Sequence, residues 1–338
     1  MQARAPAKAI LSGEHSVVYG MPALALALPI YASVSINPGT DFNKIELLLS
    51  DLGQQTAIDL SQLSRFKQRC DQRYQQFLEG NLNIEAVLAA PSDLYCYALS
   101  LWPDAAAALS GARIELSSSI AIGSGMGSSA ATVAALLTAM AGQLGQLGLL
   151  LRRDRLIELT TNCERLQHGR SSGLDPAICV RGGLIQFQQA KVEPLSVQLD
   201  NGWFQVDSGR PQVSTGSCTS QVKQRFGRSA IWSEFGAVTR QLAAALQCQD
   251  SDLILSALRH NHRLLCQIGV VPEAVQRFVK RVEQSGGAAK ISGAGAISGD
   301  QAGMVLVYSP EGLSAKLSSL EYQWQQLEMD PYGAQFRD

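Results

Sequence analysis

The sequence predicts a chain of two lobes, each mixing strands with helices, and three observations lead there. At 338 residues the chain exceeds the usual size of one domain, and 46% hydrophobic residues suffice for one large core or two moderate ones. Apolar residues switch between the alternation of strands and the spacing of helices in both halves. A polar stretch from Gln188 to Gln198 divides the halves, setting the expected units at residues 1–190 and 191–338.

Taken in order, residues 4–36 mix short apolar runs with glycine and proline and end in the alternating Tyr31 to Ile36 of a strand, with Lys44 to Leu49 able to pair with it. From Leu60 to Leu101 the pattern turns helical, because Leu63, Phe66, Cys70, Tyr74 and Phe77 recur on one side. Ala112 to Leu116 reads as a strand, and Gly123 to Ser129 is a glycine loop opening a helix from Ala130 to Leu144. Arg153 to His168 is an amphipathic helix stopped by Gly169, followed by a loop and a strand at Leu184 to Phe187. The second half predicts a strand at Trp203 to Val206, helices over roughly 231–268 and 272–285, a strand from Ala288 into a second glycine loop, and a closing strand at Met304 to Tyr308.

Composition narrows the function. A net charge of -1 with 17% charged residues leaves no broad basic field for nucleic acid or an anionic membrane, so any anionic ligand must be held locally. Seven cysteines without a CxxC pair fit reduced thiols in a cytosol. No apolar run is long enough to span a bilayer and no export signal opens the chain, so a cytoplasmic location is expected.

Three segments carry chemistry. In Gly123-Ser124-Gly125-Met126-Gly127-Ser128-Ser129, alternate glycines let backbone N–H groups approach an anion, and the following helix start adds about half a positive charge. Ser128 and Ser129 can cap that helix, bond phosphate oxygens or reach a metal; a tight turn with serine caps would look the same. There is no Gly-Lys dipeptide for a Walker loop, the spacing is not the GxGxxG of dinucleotide folds, and the spacers of a GxSxG nucleophile elbow are absent. Lys8, then Glu14 and His15 on a glycine turn, place three polar side chains where a pocket wall could use them or where they could simply be solvated. Glu164 near a helix end and Asp175 in the next loop supply two carboxylates, one suited to Mg2+ and one to a substrate hydroxyl; a capping Asp and a surface Glu are the plainer alternative. His260, His262 and Cys266 have loosely metal-like spacing, but on a helix the two histidines point to different faces.

In this order the segments resemble the GHMP small-molecule kinase superfamily, in particular its members that act on mevalonate. A lysine after a small residue and then GEHxVVYGxPALA is matched by Ala7-Lys8 and Gly13 to Ala25. The phosphate loop PxGxGLGSSAA is matched by Gly123 to Ala131, with Ala121 for proline and Met126 for leucine. E-x3-HG-x3-GxD is matched from Glu164 through His168-Gly169 to Asp175. The resemblance implies an α+β fold of two lobes with the active site in the cleft between them, the first lobe binding ATP. It implies phosphorylation of the 5-hydroxyl of mevalonate, a step in isoprenoid precursor synthesis, with ATP and Mg2+ as cofactors and no nucleic-acid or membrane partner; it allows a homodimer. Asp175 would act on the hydroxyl as base or electrostatic anchor beside Lys8, a charge pair amounting to roughly 4 kcal/mol at an effective dielectric near 20. Glu164 and Ser128 would hold Mg2+. Glu14 and His15 fall on the substrate side or brace Lys8, and Thr215 is a further substrate contact.

Two departures stand out. Lys290-Ile291-Ser292-Gly293-Ala294-Gly295 keeps the start of the family's K-x-[ST]-GAGGGG loop but continues as Ala296-Ile297-Ser298, and Asp207-Ser208-Gly209 is separated from Ser214-Thr215 by extra residues. Another acceptor (phosphomevalonate, a sugar or an amino-acid alcohol) and a silent nucleotide-binding homologue remain the competing readings.

Overall fold

The computed structural model describes residues 1–121, 123–143, 153–169, 171–312 and 322–337. The chain opens with β1 (Gln2–Ser12) and turns through a short 3-10 helix, Ser16–Tyr19, into the long β2 (Ala23–Pro38), which runs antiparallel to it. The register shifts between Pro6 and Ala7, whose partners are Tyr31 and Leu28. Pro29 falls in that irregularity, where a residue without an N–H removes no ladder bond. β3 (Lys44–Leu49) and β4 (Gln54–Asp59) form a hairpin, and β4 is a mostly exposed polar strand that the hydrophobic pattern does not reveal.

The helical stretch expected over residues 60–101 is two helices, α1 (Leu63–Leu78) and α2 (Pro91–Ser100), separated at Gly80 and by the proline that opens α2; α3 (Pro103–Ala108) follows. β5 (Ala112–Ser118) buries Ala112, Ile114 and Leu116 on one face and joins the sheet between β2 and β3. α4 (Ser128–Gln143) starts two residues earlier than the sequence suggests and is buried all round from Ala130 to Ala141, so it is a core helix packed on β1 and β2. The last residue expected in it, Leu144, lies outside the described residues. α5 (Arg153–His168) and α6 (Leu174–Arg181) complete this layer, and β6 (Leu184–Gln188) with β7 (Lys191–Pro194) extends the sheet from β2.

The chain then enters a second sheet at β8 (Trp203–Asp207). α7 (Thr215–Phe226), capped by Ser214, was not expected, because its Ser, Thr and Gln residues carry little apolar signal. α8 (Ile231–Cys248) and α9 (Ser251–Gln267) break apart where Gln249 adopts φ 53° and the Asp250 carboxylate caps the next helix at Leu253 N–H. α10 (Glu273–Glu283) buries Val275, Phe278, Val279 and Val282, the i, i+3, i+4, i+7 stripe of an amphipathic helix. β9 (Ala288–Ile291), β10 (Met304–Tyr308) and β11 (Trp324–Gln326) give the order β11-β8-β10-β9, and β12 (Gln335–Arg337) returns to the outer edge of β1.

One apolar core runs through both sheets. A polar seam crosses it: Asn261 Nδ2 donates to Ser12 Oγ at 2.6 Å, Ser12 Oγ lies 2.7 Å from Thr239 Oγ1, and Ile10 N–H donates to Ser292 Oγ at 2.8 Å. Beside it His262 is buried with Nε2 3.4 Å from Cys266 Sγ, and burial, helped by the positive charges of Lys290 and Arg263, lowers the imidazole from 6.5 to about 4. The unfolded chain therefore takes up a proton at His262 between pH 6.5 and about 4 that the folded chain refuses, so stability falls as pH drops through that window. The urea midpoint should fall between about pH 7 and about pH 5, and His262→Gln should shrink that fall.

Candidate active site

A cleft of about 930 Å³ lies between the two sheets, lined by Lys8, Glu14, the glycine loop, Glu164, Asp175, Thr215 and the Ser292 to Gly295 turn. It has room for a nucleotide and a small acceptor together. The glycine loop forms because Gly123, Gly125 and Gly127 take φ of 80°, 78° and 74°, a region costly for any side chain. Close approach adds a second requirement at Gly127, where a Cβ would stand 3.0 Å from Lys8 Cγ and 3.6 Å from Asp175 Oδ2. The loop is tied to β1 by Lys8 N–H donating to Met126 O at 3.0 Å. Gly123, Gly125, Met126 and Gly127 line the cleft together with Ser128 and Ser129 at the start of α4, the end of a helix that favours negative charge.

Lys8 and Asp175, 167 positions apart in sequence, come together at Nζ to Oδ2 3.3 Å. Lys8 is 3% exposed while Asp175 is partly open to the cleft. Asp175 sits in the first turn of α6 rather than in a loop, where the helix dipole favours its charge and Pro176 loses nothing by lacking an N–H. Glu164, in the last turns of α5, is buried with Oε2 3.6 Å from His168 Nε2, and its Oε1 has no hydrogen-bond partner among the described residues. Burial raises its carboxyl, and the charge of Asp175 acts in the same sense, against the pull of His168.

Of the remaining sequence-derived candidates, Gly123, Gly125, Met126, Gly127, Ser128, Ser129, Glu14 and Thr215 line the cleft. Ser124 does not: its hydroxyl donates to Ala121 O at 2.7 Å and its carbonyl accepts from Met304 N–H at 3.3 Å. His15 is buried with Nε2 2.9 Å from Ala294 O, and burial lowers it from 6.5 to about 4, so it is a neutral ring holding the second glycine turn.

Glu14 does not brace Lys8 by a hydrogen bond; it forms a fully buried ion pair with Lys290 of β9. The Lys290 ammonium also donates to Ile10 O at 3.2 Å and Ile291 O at 2.7 Å, which uses its three protons. Burial pushes the Glu14 carboxyl up and the Lys290 ammonium down, and their mutual attraction opposes both shifts. The segment from Lys8 to His15 is thereby clamped to the Lys290 to Gly295 loop, whose Ser292 carbonyl would lie 3.3 Å from a Cβ on Gly125.

Sequence reading missed the far end of the cleft. Asp51, Leu52, Ile84, Pro91, Leu94, Tyr95 and Leu116 line it, an apolar recess with the Asp51 carboxylate accepting from Ser118 N–H at 2.6 Å. These residues come from four separate elements with no motif among them. Arg210, in the loop between β8 and α7, lines the cleft as well and carries no motif.

Residues 94–183, which carry the glycine loop, Glu164 and Asp175, match the family of GHMP kinases N terminal domain. The chain is 29% identical over 315 residues to a mevalonate kinase of Pyrococcus horikoshii, covering 87% of this chain and 85% of that one. The fold matches the crystal structure of the Methanococcus jannaschii mevalonate kinase with a TM-score of 0.74 at 21% identity over 98% of both chains. It also matches the Lactococcus lactis galactokinase complexed with galactose with a TM-score of 0.75 at 14% identity, covering 99% of this chain and 95% of that one. The lysine-aspartate pair beside a glycine loop is that of a kinase with an alcohol acceptor, and residues 94–183 carry the match to the GHMP kinases N terminal domain. Along most of its length the chain is similar to mevalonate kinases.

The clamp generates a prediction. Lys290→Met leaves Glu14 buried without its cation and should destabilise the chain by about 3–5 kcal/mol, whereas Glu14→Gln combined with Lys290→Met should recover much of that. Urea denaturation of the two single variants and the double measures the coupling; additive losses would rule the clamp out.

Proposed function

We propose that the chain transfers the γ-phosphoryl group of ATP to the 5-hydroxyl of mevalonate, giving 5-phosphomevalonate and ADP. The observation that carries the reaction type is the Lys8–Asp175 pair at 3.3 Å, set against Gly127 in a cleft that also holds an anion cradle. The acceptor is chosen because the relatives sharing most of this chain's length are mevalonate kinases.

In this reading the loop amides and the start of α4 hold the phosphates, and the apolar recess around Leu94 and Tyr95 takes the nucleoside. Asp175 accepts a hydrogen bond from the acceptor hydroxyl, orients its oxygen toward the γ-phosphorus and takes its proton as the new P–O bond forms. The Lys8 ammonium stabilises the negative charge that grows on that oxygen, and its burial keeps water from screening it. Thr215, at the start of α7 on the cleft wall, contacts the acceptor in this reading, and Glu14 acts through its buried pair with Lys290 rather than by touch. His15 acts through the Ala294 turn rather than by touch.

The residues fit a magnesium ion. Glu164 Oε1 is a buried carboxylate oxygen without a partner among the described residues, and Ser128 opens α4 across the same cleft. Among the described residues no group of three or more Asp, Glu, His or Cys side chains is set to hold a metal. Bound there, Mg2+ would neutralise charge along the phosphate chain. The cysteines are all free, which suits a reducing compartment, and no helix among the described residues is long and apolar enough to cross a membrane; we place the enzyme in the cytoplasm.

Asp175→Ala and Lys8→Met should each lower kcat by about a thousandfold or more with ADP affinity little changed. A coupled ADP-release assay over mevalonate, phosphomevalonate, galactose and homoserine tests the acceptor: mevalonate should give the highest kcat/KM, and near-wild-type turnover in Asp175→Ala would remove the mechanism.

A further inference from the structure

The loop from Ser208 to Ser214, lengthened by its extra residues, lies alongside residues 299–303, which follow the second glycine loop. Ser208 Oγ donates to Gly303 O at 2.7 Å and accepts from Ala302 N–H at 3.0 Å, and Gly303 N–H donates to Gly209 O at 3.0 Å. The Gln212 side chain rests on Gly299, where a Cβ would stand 2.9 Å from its Cδ, and Gln301 packs on Gly209. On its other side this segment touches the first glycine loop, since a Cβ on Gly303 would lie 2.7 Å from Ser124 O. The lengthened loop, residues 299–303 and the first glycine loop are therefore one packed unit.

That unit delivers one cation to the cleft. Arg210 is exposed, lines the cleft, and stands over the start of the cradle, with its Nε 3.0 Å from where a Cβ on Gly123 would be. Among the described residues, Lys8 is the other lysine or arginine of the lining and is committed to Asp175, and Arg210 has no acidic partner. The cradle has a direction. Gly127 lies against Lys8 and Asp175, where the transferred group meets the acceptor, and Gly123 lies at the opposite end. A guanidinium over Gly123 faces the phosphates that stay with the nucleoside, and its planar fork matches two phosphate oxygens at once.

We propose that Arg210, from the lengthened loop between β8 and α7, binds the non-transferred phosphates of the nucleotide. The proposal rests on the nucleotide reading of the cleft, and the test separates the two. Calorimetric titration of the full chain with ADP and with adenosine, in the presence of MgCl2, is compared for wild type, Arg210→Ala and Arg210→Lys, with thermal melts to verify folding. Arg210→Ala should weaken ADP about tenfold, leave adenosine within about twofold and leave the acceptor KM within about twofold, and Arg210→Lys should recover part of the loss. Equal loss for ADP and adenosine, unchanged ADP affinity, a misfolded Arg210→Lys, or a raised acceptor KM in place of the ADP effect would each overturn it. Failure of the wild type to bind ADP would overturn the nucleotide reading itself.

Discussion

An ammonium group taken almost wholly out of water must find an anion within a few ångströms, and the cleft is arranged around that need at Lys8. Its partner comes from α6, so that helix has to begin where it does, turned by Gly173 at φ 88° into the first turn that carries Asp175. The stem of Lys8 fills the space beside Gly127, so that position can bear no side chain and its amide is left for a ligand. The backbone of Lys8 in turn holds Met126. A charge pair, a helix start and a bare stretch of peptide are thus fixed by one residue of β1.

Behind this pair a second one holds the two halves together. Glu14 and Lys290 are both without solvent exposure, and the lysine's remaining protons go to main-chain carbonyls of β1 and β9. Buried pairs of this kind add little net stability over apolar replacements, but they tolerate very few relative placements of the strands that carry them. The register between Ile10 and Ser292, and with it the distance from the second glycine turn to the phosphate cradle, is set by that intolerance.

Much of this was legible because the chemistry is concentrated in short runs. Three motifs identify the lysine, the cradle and the two acids, and glycines at alternate positions already announce positive φ. The end of β2, β3, β5, β6 and α5 follow from period alone. Reading failed where the signal is spread or weak. β4 and α7 are polar, so neither alternation nor an apolar stripe marks them. The break between α8 and α9 rests on a single capping aspartate inside an otherwise continuous helical pattern. Glu14 and Lys290 are 276 residues apart, and sequence proximity suggested Lys8 as the acid's neighbour instead. The apolar recess at the far end of the cleft is assembled from isolated residues whose types have no chemistry of their own.

The outer edge of β1 is covered by β12, pairing Gln2 with Arg337 and Arg4 with Gln335. The strand that presents Lys8 thus receives its outer neighbour from a segment more than 330 positions further along the chain. Until then it offers a row of bare amide and carbonyl groups to any other chain nearby. Contacts this distant along the polymer form slowly because the intervening loop must first be closed. Chaperone dependence during synthesis, and loss to clumping during refolding from denaturant, are costs written into where this sheet chooses to finish.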